Sequence, residues 1–160
     1  MIDKFEGRWS FLSNFYPCKI EHQGITYPTV EHFYVAMKVN DEQLINGRYY
    51  TPGDFREMVS KISSPGHVKK IGSKVKLRKN WNEQKLEFMN WAIREKFSDT
   101  TLKELLISTG NSELIEGNYW NDRFWGVCNG KGDNNLGKIL MKVRDEIMGK
   151  RNQGLEILFQ

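Results

Sequence analysis

Apolar residues return at helical intervals along much of the chain. Leu86, Met89, Ile93 and Phe97 are spaced as one face of a helix over 81–97. Leu136, Ile139, Leu140, Val143 and Ile147 form a second stripe, which predicts a helix opened by Asn134 or Asn135. Shorter helices announce themselves by their first turns. Thr29 is placed to N-cap a helix over 30–40. Thr51-Pro52-Gly53-Asp54 supplies a cap, a proline and an acid for a helix reaching Ile62, and Ser64-Pro65 opens a third in the same way. A further helix spans 101–108 and ends near Gly110. Strand-forming residues 18–22 and 25–27 flank Gln23-Gly24 as a short hairpin, and 114–132 reads as strand-like pieces joined by tight turns. The pattern predicts an α+β fold: a single, mostly helical domain with a few short strands, too few for a doubly wound sheet.

Composition narrows the class. The 160 residues fit one domain, and an aromatic content of 12% argues against disorder. No apolar run approaches the roughly 20 residues that span a bilayer, and the N-terminus has no apolar signal core. Cys18 and Cys128 are far apart and read as free thiols of a reducing cytoplasm. His22, His32 and His67 are not spaced as metal ligands, so no zinc site is expected. Residues 154–160 look like the remnant of a picornaviral 3C-type protease site, which makes 1–152 the domain and 153–160 a foreign tail. The net charge of +4 becomes +5 once Glu156 of that tail is set aside.

The charge is unevenly spread. Lys61, Lys69, Lys70, Lys74, Lys76, Arg78 and Lys79 follow one another with no acid between Glu57 and Glu83. Such a run attracts phosphates, although solvated charged faces are common. In the helix after Thr29, Glu31, Tyr34 and Lys38 share one face, with Lys38 able to lean back across the Tyr34 ring toward the carboxylate. A carboxylate, an aromatic wall and a cation suit chemistry on a sugar. A dipole-favoured acid with a solvated lysine is the plainer reading of the same spacing. His32 reads as a hydrogen-bonded structural histidine. Gly132 to Lys138 has Walker A spacing but offers Ile139 where a magnesium-binding hydroxyl belongs, so an NTPase is excluded. Gly130 and Gly132 ahead of a helix leave a weaker expectation, an anion cradle of backbone N–H groups. Tyr119 to Gly126 surrounds Asp122 with aromatic rings, suited to base stacking or to plain core packing.

Taken in order, these segments resemble the NADAR family, also called YbiA-like. The resemblance rests on Phe11-Leu12-Ser13-Asn14-Phe15-Tyr16-Pro17, on Gly24…Tyr27-Pro28-Thr29-Val30-Glu31-His32-Phe33-Tyr34…Lys38, and on Leu77-Arg78-Lys79-Asn80-Trp81. It continues through Lys96-Phe97, Leu105-Leu106…Thr109-Gly110, Trp125-Gly126 and Asn135-Leu136-Gly137…Arg144, so that it covers about residues 5 to 148. It implies an N-glycosidase, a hydrolase that cuts a ribose–nitrogen bond. Val35 stands where family members often have Gln, Asn80 where they have Asp, and Ser73 where a basic residue is usual.

The resemblance implies Glu31, Lys38 and Asp122 as catalytic residues, with Lys38 assigned an imine with the opened ribose. That chemistry requires neither a metal nor a cofactor, and none is expected. Asn14, Phe15, Tyr34, Lys74, Trp125 and Asn135 are the substrate-binding set. The expected substrate is an ADP-ribosylated guanine base in nucleic acid, toward which the basic run leans. A small ribosylated heterocycle, a pyrimidine intermediate of riboflavin synthesis, is the alternative. A non-catalytic module that binds ADP-ribose or nucleic acid is the rival of another class. No membrane partner is expected, and the sequence leaves the oligomeric state open.

Overall fold

A computed structural model describes residues 1–159. The fold is α+β and rich in helix, and the chain divides into two compact units.

The unit formed by Asn14–Lys96 is built around one short helix. It opens with strands β1 (Ile20–His22) and β2 (Ile25–Tyr27), paired antiparallel with Ile20 opposite Tyr27. Gln23 and Gly24 at the turn have φ of 48° and 80°, the left-handed geometry of a two-residue type I′ hairpin. Helix α1 (Val30–Met37) follows, capped by the Thr29 side chain, which accepts the His32 N–H at 3.1 Å. All eight residues of α1 are buried, polar Glu31 and His32 included. Helices α2 (Pro52–Lys61), α3 (Pro65–Gly72) and α4 (Trp81–Lys96) all pack against it. The caps expected at Thr51 and Ser64 form, accepting from Asp54 and His67.

Between α1 and α2 lies a hairpin that the apolar pattern does not mark, β3 (Gln43–Ile45) and β4 (Arg48–Tyr50). Asn46-Gly47 makes its turn with φ of 51° and 77°, and that dipeptide is the signal that identifies it. Helix α4 also departs from expectation. Leu86 is exposed, because the buried arc is centred on Trp81, Met89, Ala92, Ile93 and Lys96. The aromatic rings of Trp81 and Phe88 turn the helix so that Tyr34 and Phe33 meet them, and Leu86 is left on the margin.

Lys96 is only 1% exposed, with its ammonium 5.8 Å from the centre of the Tyr16 ring. Burial lowers its pKa from 10.5 to about 7, with Cys18 opposing. Between those values the unfolded chain binds more protons than the folded one, so stability rises with pH across the window. Urea unfolding is expected to gain about 3 kcal/mol from this group between about pH 7 and about pH 9.5, at about 1.4 kcal/mol per pH unit. The gain should vanish in Lys96→Met; an unchanged pH slope in that variant would refute the assignment.

The second unit joins Met1–Ser13 to the chain from Phe97 onward. Residues 1–13 contribute a 3-10 helix (Gly7–Leu12) and a parallel bridge from Ile2 to Leu114. Helix α5 (Thr100–Ile107) is capped by Asp99, one residue earlier than the pattern suggests. Two short parallel strands, β5 (Gly117–Asn118) and β6 (Val127–Cys128), precede α6 (Asn135–Leu158). Arg144 of α6 is buried and donates to Thr109 Oγ1 and to the Ser112 carbonyl at 2.9 and 2.8 Å. Asn134 is the N-cap residue of α6, one of the two positions expected, but its side chain makes no cap hydrogen bond. Its φ is 53°, and its amide is instead bonded to the Glu116 N–H and the Leu114 carbonyl. Helix α6 runs on through the tail to Leu158, leaving Leu155, Ile157, Leu158 and Phe159 exposed. Among the described residues, no helix is long and apolar enough to cross a membrane.

Candidate active site

Helix α1 places Glu31 in its first turn, where the helix dipole favours a carboxylate, and Lys38 at its C-cap. The Glu31 N–H donates to the Asn14 carbonyl at 3.1 Å, which fastens Asn14-Phe15 to the start of the helix. The Asn14 side chain is buried against the Met89 sulfur at 3.6 Å, and its Oδ1 has no hydrogen-bond partner among the described residues. A buried acceptor with nothing to accept from is costly unless a ligand supplies a donor. Phe15 is exposed, with the Lys69 ammonium 5.9 Å from its ring centre.

Lys38 leans back along the helix as the spacing suggests. Its Nζ lies 5.4 Å from the Tyr34 ring centre and donates to the Gly72 carbonyl at 3.3 Å. Burial lowers the Lys38 pKa; Glu31 opposes the shift, while Lys69 and Lys85 reinforce it. Tyr34 is itself buried and meets Trp81 at a centroid distance of 5.1 Å. The approach of α3 to α1 depends on Gly72. A Cβ there would lie 2.7 Å from Val35 Cγ2, so any side chain would press on Val35, and it would come into contact with Lys38 Nζ at 3.5 Å.

His32 is structural, as the sequence indicates. Nδ1 and Nε2 lie 2.6 Å from Thr29 Oγ1 and from the Ile62 carbonyl. Nε2 therefore carries the proton and Nδ1 accepts from the hydroxyl. Burial lowers the pKa of the ring.

In the other unit, Asp122, Trp125 and Asn135 come together around Phe124. Asp122 Oδ1 accepts from the Phe124 and Trp125 N–H groups at 3.1 and 2.9 Å, a side-chain-closed turn. The Trp125 ring stands edge-on to Phe124 at 4.7 Å, and Asn135 Nδ2 donates to the Phe124 carbonyl at 2.9 Å.

Most of the amides around Gly130 and Gly132, where an anion cradle is expected, are already occupied. The N–H groups of Lys131, Asp133, Asn134, Asn135 and Leu136 all donate to carbonyls, of Cys128, Arg123, Gly126, Phe124 and Trp125. Gly132, at φ 150°, serves close backbone packing, since a Cβ would lie 2.1 Å from the Gly126 carbonyl oxygen.

The basic run is also not uniformly available. Arg78 is turned inward, and Lys76 pairs with Asp41 at 3.7 Å. Lys61, Lys69, Lys70, Lys74 and Lys79 stay exposed. Lys74, chosen from sequence for phosphate contact, is on this outer surface, whereas the lysines that act electrostatically on Lys38 are Lys69 and Lys85. Lys69, Lys85, Gly72, Trp81 and Arg78 are missed as site residues by the sequence reading. Only the interval from Trp81 to Lys85, one helical turn, could have signalled a shared face.

Three comparisons with known proteins bear on this arrangement. The family model of the NADAR domain matches residues 3–148. N-glycosidase YbiA of Escherichia coli (strain K12) is 36% identical over 140 residues, covering 85% of this chain and 80% of that protein. Riboflavin biosynthesis protein VVA0006 of Vibrio vulnificus (strain YJ016) is 36% identical over 141 residues, 86% of this chain but 35% of that longer protein. The NMR structure of the E. coli protein YbiA superimposes with a TM-score of 0.73 at 32% identity, covering 94% of this chain and 89% of that one.

Proposed function

The chain belongs to the NADAR family and is a hydrolase of N-glycosyl bonds; from that premise we propose that Glu31 and Lys38 carry the reaction and that the substrate is an ADP-ribosylated guanine base. The observation that supports this most directly is helix α1 itself, which buries Glu31 in its first turn and holds the Lys38 amine over the Tyr34 ring, with Glu31 acting electrostatically on that amine.

Breaking a ribose–nitrogen bond builds positive charge at the anomeric carbon and negative charge on the departing nitrogen. The Glu31 carboxylate faces the sugar and stabilises the first, or delivers a water to it. The leaving base takes up a proton as it departs. Lys38 acts on the ring-opened sugar, whose anomeric carbon is still joined to the base by a C=N bond. Its neutral amine adds to that carbon, the bond to the base nitrogen breaks, and the two amine protons end on the departing base. Hydrolysis of the resulting imine regenerates the amine. The unpartnered Oδ1 of Asn14 accepts from a sugar hydroxyl or a base N–H, and Phe15 offers an exposed ring for stacking. Asp122 acts through the turn it closes, which sets the Trp125 ring.

The exposed lysines of the 61–79 segment favour the diphosphate of ADP-ribose, or a nucleic-acid carrier, as the charged part of the substrate. A ribosylated pyrimidine intermediate of riboflavin synthesis is a second reading, supported by the names of relatives such as the Vibrio protein. Side-by-side turnover, with released base measured by chromatography, decides between them. The first reading expects kcat/KM at least about tenfold higher on ADP-ribosylated guanine, a difference of about 1.4 kcal/mol in transition-state binding. The reverse preference overturns it in favour of the second.

A further inference from the structure

Lys38 ends α1, and the last carbonyls of a helix have no partner within it. Here they are held by arginines. Arg78 Nε donates to the Met37 carbonyl at 2.6 Å, and the Arg78 backbone N–H donates to the Lys38 carbonyl at 2.6 Å. Arg56 Nη2 donates to the Val39 carbonyl at 2.7 Å. Three consecutive carbonyls at and beyond the helix end are thus bound by two cationic residues rather than by a glycine turn.

Arg78 also closes a ring of contacts that begins and ends at Lys38. Its guanidinium lies over Phe88 at 4.9 Å, and Phe88 stacks with Trp81 at 5.9 Å and an interplanar angle of 23°. Trp81 meets Tyr34 at 5.1 Å, and the Tyr34 ring lies under the Lys38 ammonium at 5.4 Å. One arginine therefore fixes both the backbone from which the Lys38 side chain departs and, through two rings, the wall against which its amine rests. The geometry uses what separates arginine from lysine, a planar group that stacks while its in-plane Nε donates. The charge has its own effect. A helix C-terminus carries partial negative charge that holds a nearby amine protonated, and a guanidinium on those carbonyls offsets it.

We propose, resting on the role given above to Lys38, that Arg78 is a positioning residue that aims the Lys38 amine and keeps it in its reactive form. The charged groups that face this amine are Glu31 on α1, Lys69 on α3 and Lys85 on α4, with Arg56 and Arg78 at the helix end.

The test compares Arg78→Gln, Arg78→Lys and Phe88→Leu with the unmodified protein, on whichever ribosylated base it turns over, with Lys38→Met as reference. For folded Arg78→Gln, kcat is expected to fall about tenfold with KM within about twofold, since small misplacements of a reacting group act on the chemical step. The pH at which kcat is half-maximal should move upward, because a loosened amine regains water and an unopposed helix end. Arg78→Lys keeps the charge but not the stack, so it should restore the pH midpoint more than the rate. Unchanged kcat and pH midpoint in Arg78→Gln, or a loss confined to KM, overturns the proposal. If Arg78→Gln fails to fold, Phe88→Leu is judged by the same two readouts. Wild-type turnover by Lys38→Met would instead remove the role of Lys38, and with it anything for Arg78 to position.

Discussion

Glu31→Gln is expected to fold as the unmodified protein does and to lose about a thousandfold in kcat or more, the scale on which a reacting carboxylate acts. The substitution keeps the shape of a nearly buried side chain, and the Glu31 N–H that holds the Asn14 carbonyl is a backbone group. What disappears is the negative charge that the proposed reaction sets against the anomeric carbon. The same change removes a carboxylate that favours the protonated form of Lys38, so the amine pKa falls further. Loss of activity with an unshifted thermal midpoint and unchanged KM would mark Glu31 as acting in the transition state. Activity within about threefold of the original would exclude it from the chemistry, because a removed reacting group costs far more than that.

The second large effect concerns covalent capture. Borohydride added during turnover is expected to reduce the imine at Lys38 to a stable secondary amine, seen as a mass adduct on the peptide containing residue 38. Lys38→Met should abolish the adduct and lower kcat about a hundredfold or more, since the nucleophile is gone. The yield should depend on pH with a defined sign. Only the neutral amine attacks, and burial lowers the Lys38 pKa, with Lys69 and Lys85 adding to that and Glu31 opposing it. Trapping therefore rises as pH increases through a midpoint below the ordinary lysine value. An adduct that persists in Lys38→Met, or intact activity with none formed in the original protein, would refute the imine.

What the sequence could convey follows the range of the forces involved. Local chemistry was readable: the caps at Thr29, Thr51 and Ser64 form as their side chains dictate, and Glu31, Tyr34 and Lys38 share a face because 3.6 residues make a turn. The hairpin at Asn46-Gly47 was equally local, but its flanking strands are only three residues long and show little alternation. Leu86 fails differently, since apolar spacing alone does not say which edge of a stripe the heavier rings of Trp81 and Phe88 will turn inward. Most of the cradle suggested by Gly130 and Gly132 is lost because carbonyls of residues 123–128 occupy the neighbouring amides. Nothing local distinguishes Arg78 from the other cations of its run, or Lys96 from a solvated lysine. Their partners are brought to them only by the packing of α1 against α4 and by the burial of the last turn of α4.

The ring of contacts around Lys38 bears on affinity as well as on rate. A free lysine side chain samples many rotamers, and immobilising it costs up to about 2 kcal/mol of conformational entropy. Here that ordering is completed when the helices pack, through the Gly72 carbonyl and the Tyr34 ring, before any ligand arrives. Association then carries no such penalty at this residue, and the contacts made by the rest of the substrate remain free to discriminate among ribosylated bases.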